Sequence, residues 1–268
     1  MSIGFRLASC AVPTLLGFLL AGCASQALLD AAASTEKPDQ DGLMRVASDL
    51  EAQGQTVAAL PIYERAAAGS SDATAQVRLG DAYMRAGKTD QAIQAYRAAL
   101  AVAPDNPDAL LGLGSALVKA GDADGAVVAL AKVAPIVNTM TAYNRLGVAQ
   151  TLTGHFAQAH QSFDAASALA PDDLDIRTNL ALAAALDGQE TKAIDAARAV
   201  VTSPGAEARH RRNLMIVYGL LGRADEGRAA APEGLSANEV KKLLARATAI
   251  RAIRDVKARA KALGTIMS

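Results

Sequence analysis

The sequence predicts an all-α protein: a right-handed superhelical solenoid of helix-turn-helix repeats, closed by a C-terminal capping helix. Three observations predict it. Glycines stand at Gly54, Gly87, Gly121, Gly154, Gly188 and Gly222, one every 33 or 34 residues. Small and apolar residues keep fixed offsets from each glycine, as a unit that stacks on copies of itself demands. Composition agrees: 51% of the chain is apolar but only 3% is aromatic, with no Trp. Much of the apolar content is Ala, the strongest helix former, and strands lack the β-branched and aromatic residues they favour.

Residues 1–22 read as an export signal. Arg6 precedes an apolar run from Leu7 to Leu20, interrupted only by Ser9, Pro13, Thr14 and Gly17. At about 14 residues the run fits a signal core and falls short of the roughly 20 needed to span a bilayer. The tetrapeptide that follows, Leu20-Ala21-Gly22-Cys23, resembles the lipobox of bacterial lipoproteins. The resemblance implies recognition through Leu20, Ala21 and Gly22, cleavage before Cys23, and a diacylglycerol and an N-acyl chain on that cysteine. Cys10 then leaves with the signal and Cys23 is consumed by lipid, so no thiol remains for a disulfide, a metal or a nucleophile. More than one acyl chain holds a protein stably at a membrane. Ala24, where enteric lipoproteins kept at the inner membrane carry Asp, implies the outer membrane, on its periplasmic side. Residues 23–40 read as a flexible tether, with Ser25, Ser34, Thr35, Lys37, Pro38 and Asp39 among them.

The repeat body is expected over 41–235, in six units: 40–72, 73–106, 107–139, 140–173, 174–207 and a decayed 208–235. The clearest runs Leu79-Gly80, Tyr83, Gly87, Ala92, Tyr96, Ala99 and Pro104; another runs Leu146-Gly147, Gly154, Ala159, Phe163, Ala166 and Pro171. This pattern resembles the tetratricopeptide repeat, a helical hairpin of 34 residues. The small residues Gly80, Gly114, Gly147 and Ala181 mark where the second helix of a hairpin comes close to the first. The periodic glycine ends the first helix, because it takes the left-handed conformation of a C′ position. Ala59, Ala92, Ala126, Ala159 and Ala193 are the small contact of the second helix, while Tyr63, Tyr96, Leu130 and Phe163 fill the gap between hairpins. Pro104, Pro135, Pro171 and Pro204 are expected to stop the second helix. In the sixth unit Met215 and Gly227 stand where small packing residues belong, which puts its second helix in doubt.

Residues 236–268 open on a capping box, Ser236 to Glu239. Val240, Leu243, Leu244, Ala247, Ile250, Ile253 and Val256 follow at helical spacing, and predict one long helix from about 237 to 262. Net charge is zero, but residues 207–268 carry thirteen Lys and Arg against six Asp and Glu, a local balance of +7. The basic helix is expected to be an amphipathic lid on the last repeat; its charge also suits anionic lipid heads. The neutral whole offers no argument for nucleic-acid binding.

No constellation of catalytic type emerges. His155, His160 and His210 are the only histidines, without paired carboxylates or cysteines, and no nucleophile-elbow, zinc-protease or phosphate-loop motif occurs. They are expected at the surface or in loops, and no enzyme activity, metal, cofactor or small-molecule substrate is expected. By the repeat register, Met84, Leu111, Val148, Leu182 and Ile216 form the floor of a concave groove, flanked by Asn144, Asn179 and Asn213 and, from the basic run at 209–212, by Arg209 and Arg212. The lysines of a carboxylate clamp for chaperone tails are missing. An amphipathic helix or extended protein segment fits such a groove better.

One further resemblance concerns the tail. Arg212-Asn213-Leu214, Val217-Tyr218-Gly219-Leu220 and Gly222, followed by Leu235-Ser236 and Glu239-Val240, are similar to the TadD family of Flp-type (tight adherence, Tad) pilus assembly lipoproteins. Lys241-Lys242 depart from the acidic or aromatic run usual there. The resemblance implies an outer-membrane scaffold in Flp/Tad pilus assembly and secretion, supporting the secretin as a pilotin does. An envelope adaptor for peptidoglycan enzymes or outer-membrane insertion factors is the other function this architecture suggests.

Overall fold

The computed structural model describes residues 39–68 and 70–267, with side chains as far as Gly264. The chain divides between Gln40 and Asp41 into two units, and the account below concerns the second. Leu20, Ala21, Gly22 and Cys23 lie outside the described residues, with nearly all of the tether. The helices are α1 (Gln40–Ala52), α2 (Thr56–Ala67), α3 (Ala73–Arg85), α4 (Thr89–Val102), α5 (Pro107–Ala120), α6 (Ala123–Val137), α7 (Met140–Leu152), α8 (Phe156–Leu169), α9 (Leu174–Leu186), α10 (Glu190–Val201), α11 (Ala208–Leu221), α12 (Ala224–Ala229), α13 (Ala237–Arg251) and α14 (Val256–Met267). No strand occurs among the described residues.

Local chemistry sets most helix ends. The periodic glycines all have positive φ, from 73° at Gly87 to 84° at Gly121, so each hairpin turns at a residue without a Cβ penalty. The helices that open repeats three, four and five are capped by Asn106, Thr139 and Asp173. Their side chains accept from the backbone N–H of Ala109, Ala142 and Ile176 at 2.9, 3.3 and 3.0 Å, supplying acceptors for donors the first turn leaves orphaned. Pro104, Pro171 and Pro204 fall just beyond α4, α8 and α10. Pro135 does not stop its helix: α6 continues to Val137 and ends at Asn138, in the left-handed region at φ 47°. Pro135 removes one backbone hydrogen bond, and the helix runs only two residues past it. Pro61, inside α2, is a second interior proline.

Packing is repetitive. α3 with α4, α5 with α6, α7 with α8 and α9 with α10 form hairpins, and α3, α5, α7, α9 and α11 also meet in succession. The alanines at the tightest crossings, Ala59, Ala92, Ala126, Ala159 and Ala193, are all 0% exposed. A Cβ on Gly80 would stand 2.6 Å from the Tyr96 ring, and one on Gly147 2.7 Å from Phe163. Each of these aromatic rings therefore occupies the space that a Cβ on its partner helix would need. Tyr96 also rests on Gly112 of the next repeat, so one ring closes two interfaces.

The C-terminal region departs from expectation twice. The second helix of the sixth repeat does form, but as the six-residue α12. Gly219 and Gly227 let Ala247 and Leu244 of α13 approach to 2.6 Å from where a Cβ would be, so α13 takes the place a seventh repeat would fill. The predicted continuous helix 237–262 is instead two. α13 ends at Arg251, residues 252–255 are not helical, and α14 packs against α7 and α9, the first helices of repeats four and five. Apolar spacing continued through the break, which is why periodicity alone missed it.

Candidate functional site

The first helices of successive hairpins line the concave side of the stack. A cleft of about 500 Å³ opens there across α3, α5 and α7. Val77, Met84 and Leu111 supply its apolar surface and the Tyr96 ring part of its wall; Thr74, Arg78, Asp81, Arg85, Asp108, Ser115 and Arg145 supply the polar rim. Several of these groups are held by the chain itself. The Tyr96 hydroxyl donates to Asp81 at 2.6 Å. Burial, reinforced by Asp81, pushes the Tyr96 phenol far above its ordinary range. Arg85 grips Glu51 of the first repeat with two hydrogen bonds, at 2.8 and 2.7 Å. Arg78 and Arg145 are exposed and form no ion pair with another described residue. They stand two repeats apart at one register position, with Gly112 between them. The cleft thus offers two exposed guanidinium groups over a short apolar floor, an arrangement that can hold an acidic amphipathic segment.

The expected groove residues divide into two groups. Met84, Leu111, Asn144, Val148, Asn179 and Asn213 are half-buried on first helices, and Asn179 donates to Asn144 across the repeat at 3.0 Å. Leu182 and Ile216 were expected to face the groove, but they are 2% and 0% exposed. Both lie in the core shared with α13 and Leu263 of α14, and neither is available to a partner in this conformation. Arg209 does not reach for a foreign carboxylate: it pairs with Asp175 at 3.3 Å and Glu207 at 3.1 Å. Arg212 is half-buried.

The histidines also depart from expectation. His155 is exposed, but His160 and His210 are 8% and 3% exposed. His210 Nδ1 accepts from the Glu207 backbone N–H at 2.9 Å, so its Nε2 carries the proton and donates to Asp175, also at 2.9 Å. It caps α11 and ties that helix to α9. Sequence reading passed over the capping role because His replaces the usual Glu or Gln three residues after the cap. No group of three or more His, Cys, Asp or Glu among the described residues is placed to hold a metal ion.

A larger open hollow of about 1000 Å³ lies between α8, α9 and α10, rimmed by Asp164, Arg177, Glu190, Lys192 and Asp195. Its charges are of mixed sign and it gathers no reactive pair. No helix among the described residues is long and apolar enough to cross a membrane.

Fold and groove together define a helical-repeat scaffold. The tetratricopeptide-repeat family profile matches residues 77–150 and 153–208, and those residues are tetratricopeptide repeats. Among solved structures, a mutant of MamA has 27% identity and a TM-score of 0.52, over 60% of this chain and 94% of that one. YrrB, described as a tetratricopeptide-repeat protein with an unusual peptide-binding site, has 24% identity and a TM-score of 0.55, over 63% of this chain and 89% of its own. PilF of Pseudomonas aeruginosa has 18% identity and a TM-score of 0.56, over 71% and 88%. The last two likenesses are of fold alone. No match was found among the curated proteins.

Proposed function

We propose that this protein is a non-catalytic scaffold that holds a segment of another protein in its concave groove, and that it does so as an outer-membrane lipoprotein in Flp/Tad pilus assembly. One observation carries the binding reading: the cleft over α3, α5 and α7, with Val77, Met84 and Leu111 beneath Arg78 and Arg145. An acidic amphipathic segment of a partner satisfies both features at once. The placement in the cell rests on sequence, on Leu20-Ala21-Gly22-Cys23 and the tail motif around Asn213 and Tyr218. On that reading Cys23 bears the lipid, the groove faces the periplasm, and the partner is the pilus secretin or another component of its machine.

The test is crosslinking and pull-down of the tagged protein in cells, comparing wild type, Cys23→Ser and Arg78→Glu/Arg145→Glu. The pilus reading expects secretin in the wild-type capture, loss of membrane fractionation and secretin multimers with Cys23→Ser, and loss of capture with the double arginine variant. Recovery of peptidoglycan enzymes or insertion factors, with secretin multimers intact in a deletion strain, would replace the pilus by the envelope-adaptor function. Undiminished capture by the arginine variant would remove the cleft as the binding site.

A further inference from the structure

One register position of the first helices changes character along the stack. It is Arg85 and then Lys119, both exposed, in repeats two and three. It is Leu152, Leu186 and Leu220 in repeats four, five and six. Leu186 and Leu220 are 1% and 3% exposed. The switch from cation to leucine falls where α14 arrives. A Cβ on Gly264 would lie 3.5 Å from Leu152, and Val256 sits on the turn at Gly154. Leu263 is 1% exposed and belongs to the same buried cluster as Leu186. The concave face is therefore open and charged from repeat two as far as Arg145 of repeat four, and apolar where α14 packs on the end of α7 at Leu152 and on α9.

The seat of α14 is held by fewer contacts than that of α13, although Leu263 reaches the shared core. Among its described side chains only Ala260 and Leu263 are buried, against five on the adjoining α13. Its ion pair, Lys257 with Asp124 at 3.0 Å, leaves both side chains about two-thirds exposed, so solvent screens it. The Arg259 Nε is buried with no acceptor among the described residues. The groove's own hydroxyls need nothing from α14: Thr151 and Thr178 donate to Gly147 and Leu174 within their own helices, at 2.8 and 2.6 Å. Departure of α14 would strand none of these polar groups, and the non-helical residues 252–255 supply a joint for the movement.

We infer that α14 is an internal ligand of the groove of repeats four and five, which a partner's basic amphipathic helix displaces. The displacing helix is one that presents a small and a large apolar residue three apart, as Ala260 and Leu263 do, with a cation one turn earlier in the place of Lys257. This rests on the reading of the concave face as a protein-binding surface, and adds to the open cleft a second, gated section.

The test uses a fluorescein-labelled peptide of residues 254–268 titrated into the full chain by fluorescence anisotropy. In the wild type the seat is occupied and the peptide competes poorly. Leu263→Asp in the chain unseats α14, and peptide binding is expected to tighten at least tenfold, while a peptide carrying the same substitution does not bind. A clamp covers the case in which Leu263→Asp fails to fold: Leu152→Cys/Gly264→Cys, with Cys10 and Cys23 changed to Ser. The oxidised clamp is expected to bind at least tenfold more weakly than the reduced one. Equal binding by oxidised and reduced clamp, or by wild type and a folded Leu263→Asp chain, overturns the inference. Partner capture with such a negative result would leave the scaffold standing and remove only the gate; a positive result with no partner captured would do the reverse.

Discussion

Tyr96 shows how much one side chain carries in a repeat protein. Its ring lies on Gly80 of its own hairpin and Gly112 of the next, and its hydroxyl donates to Asp81. Truncation would leave a void walled by backbone, which cannot collapse to fill it. Tyr96→Ala is therefore expected to cost about 3–5 kcal/mol in urea denaturation, and Tyr96→Phe about 1 kcal/mol through the lost hydrogen bond. The tyrosines also set an alkaline limit. Burial first, then the hydrogen bond to Glu64, pushes Tyr83 from its ordinary value of 10.0 up to about 12, and Tyr96 moves in the same direction. Folding favours the protonated phenol in both. The stability it contributes is whole below pH 10 and is lost as pH rises from there through about 12. Urea midpoints should fall more steeply above pH 10 in wild type than in Tyr83→Phe, measured side by side. A midpoint equally sensitive in both would refute the assignment.

At the scale of the element, the hairpins differ from the tail in how they are held. α9 has eight buried residues, and every interior hairpin is flanked by another on each side. α14 rests on two helices and leaves the stack at a non-helical joint. Local opening follows contact density, so amide hydrogens of α14 are expected to exchange before those of α13 and well before those of α5 to α9. Hydrogen exchange read by mass spectrometry tests this directly; protection of α14 equal to that of α9 would count against a mobile tail. The same comparison explains the missed break. Val240, Leu243, Leu244, Ala247 and Ile250 form a true helical stripe on α13, and Ile253 and Val256 extend it by coincidence of spacing. The leucine ladder Leu152, Leu186 and Leu220 was the overlooked signal, because apolar residues at a position that should face solvent imply a cover.

At the scale of the whole repeat body, charge is sorted along the concave face. Arg78 and Arg145 stand over the open section, while in the C-terminal repeats Arg209 is neutralised by Asp175 and Glu207. Arg78→Glu/Arg145→Glu should leave stability within about 0.5 kcal/mol of wild type, as exposed substitutions generally do, while partner capture falls. Thermal melting beside capture separates the two effects, since a melting point lowered in step with capture would mean misfolding and not a lost contact.

What the sequence determined by itself was everything that repeats. The glycine period, the paired alanines and the aromatic plugs specify hairpins and their stacking, because each contact lies within one repeat or between neighbours and short-range spacing encodes it. The same register puts Met84 and Leu111 on first helices, where both line the cleft across α3, α5 and α7. Only the tertiary structure decided which part of that face is open. Leu182 and Ile216 are closed off in the core that α13 and α14 share, Lys257 meets Asp124 from 133 residues away, and His160 and His210 are buried. Contacts between segments so distant leave no period in the sequence; they depend on where the chain bends at residues 252–255 and on which apolar surface it finds when it returns.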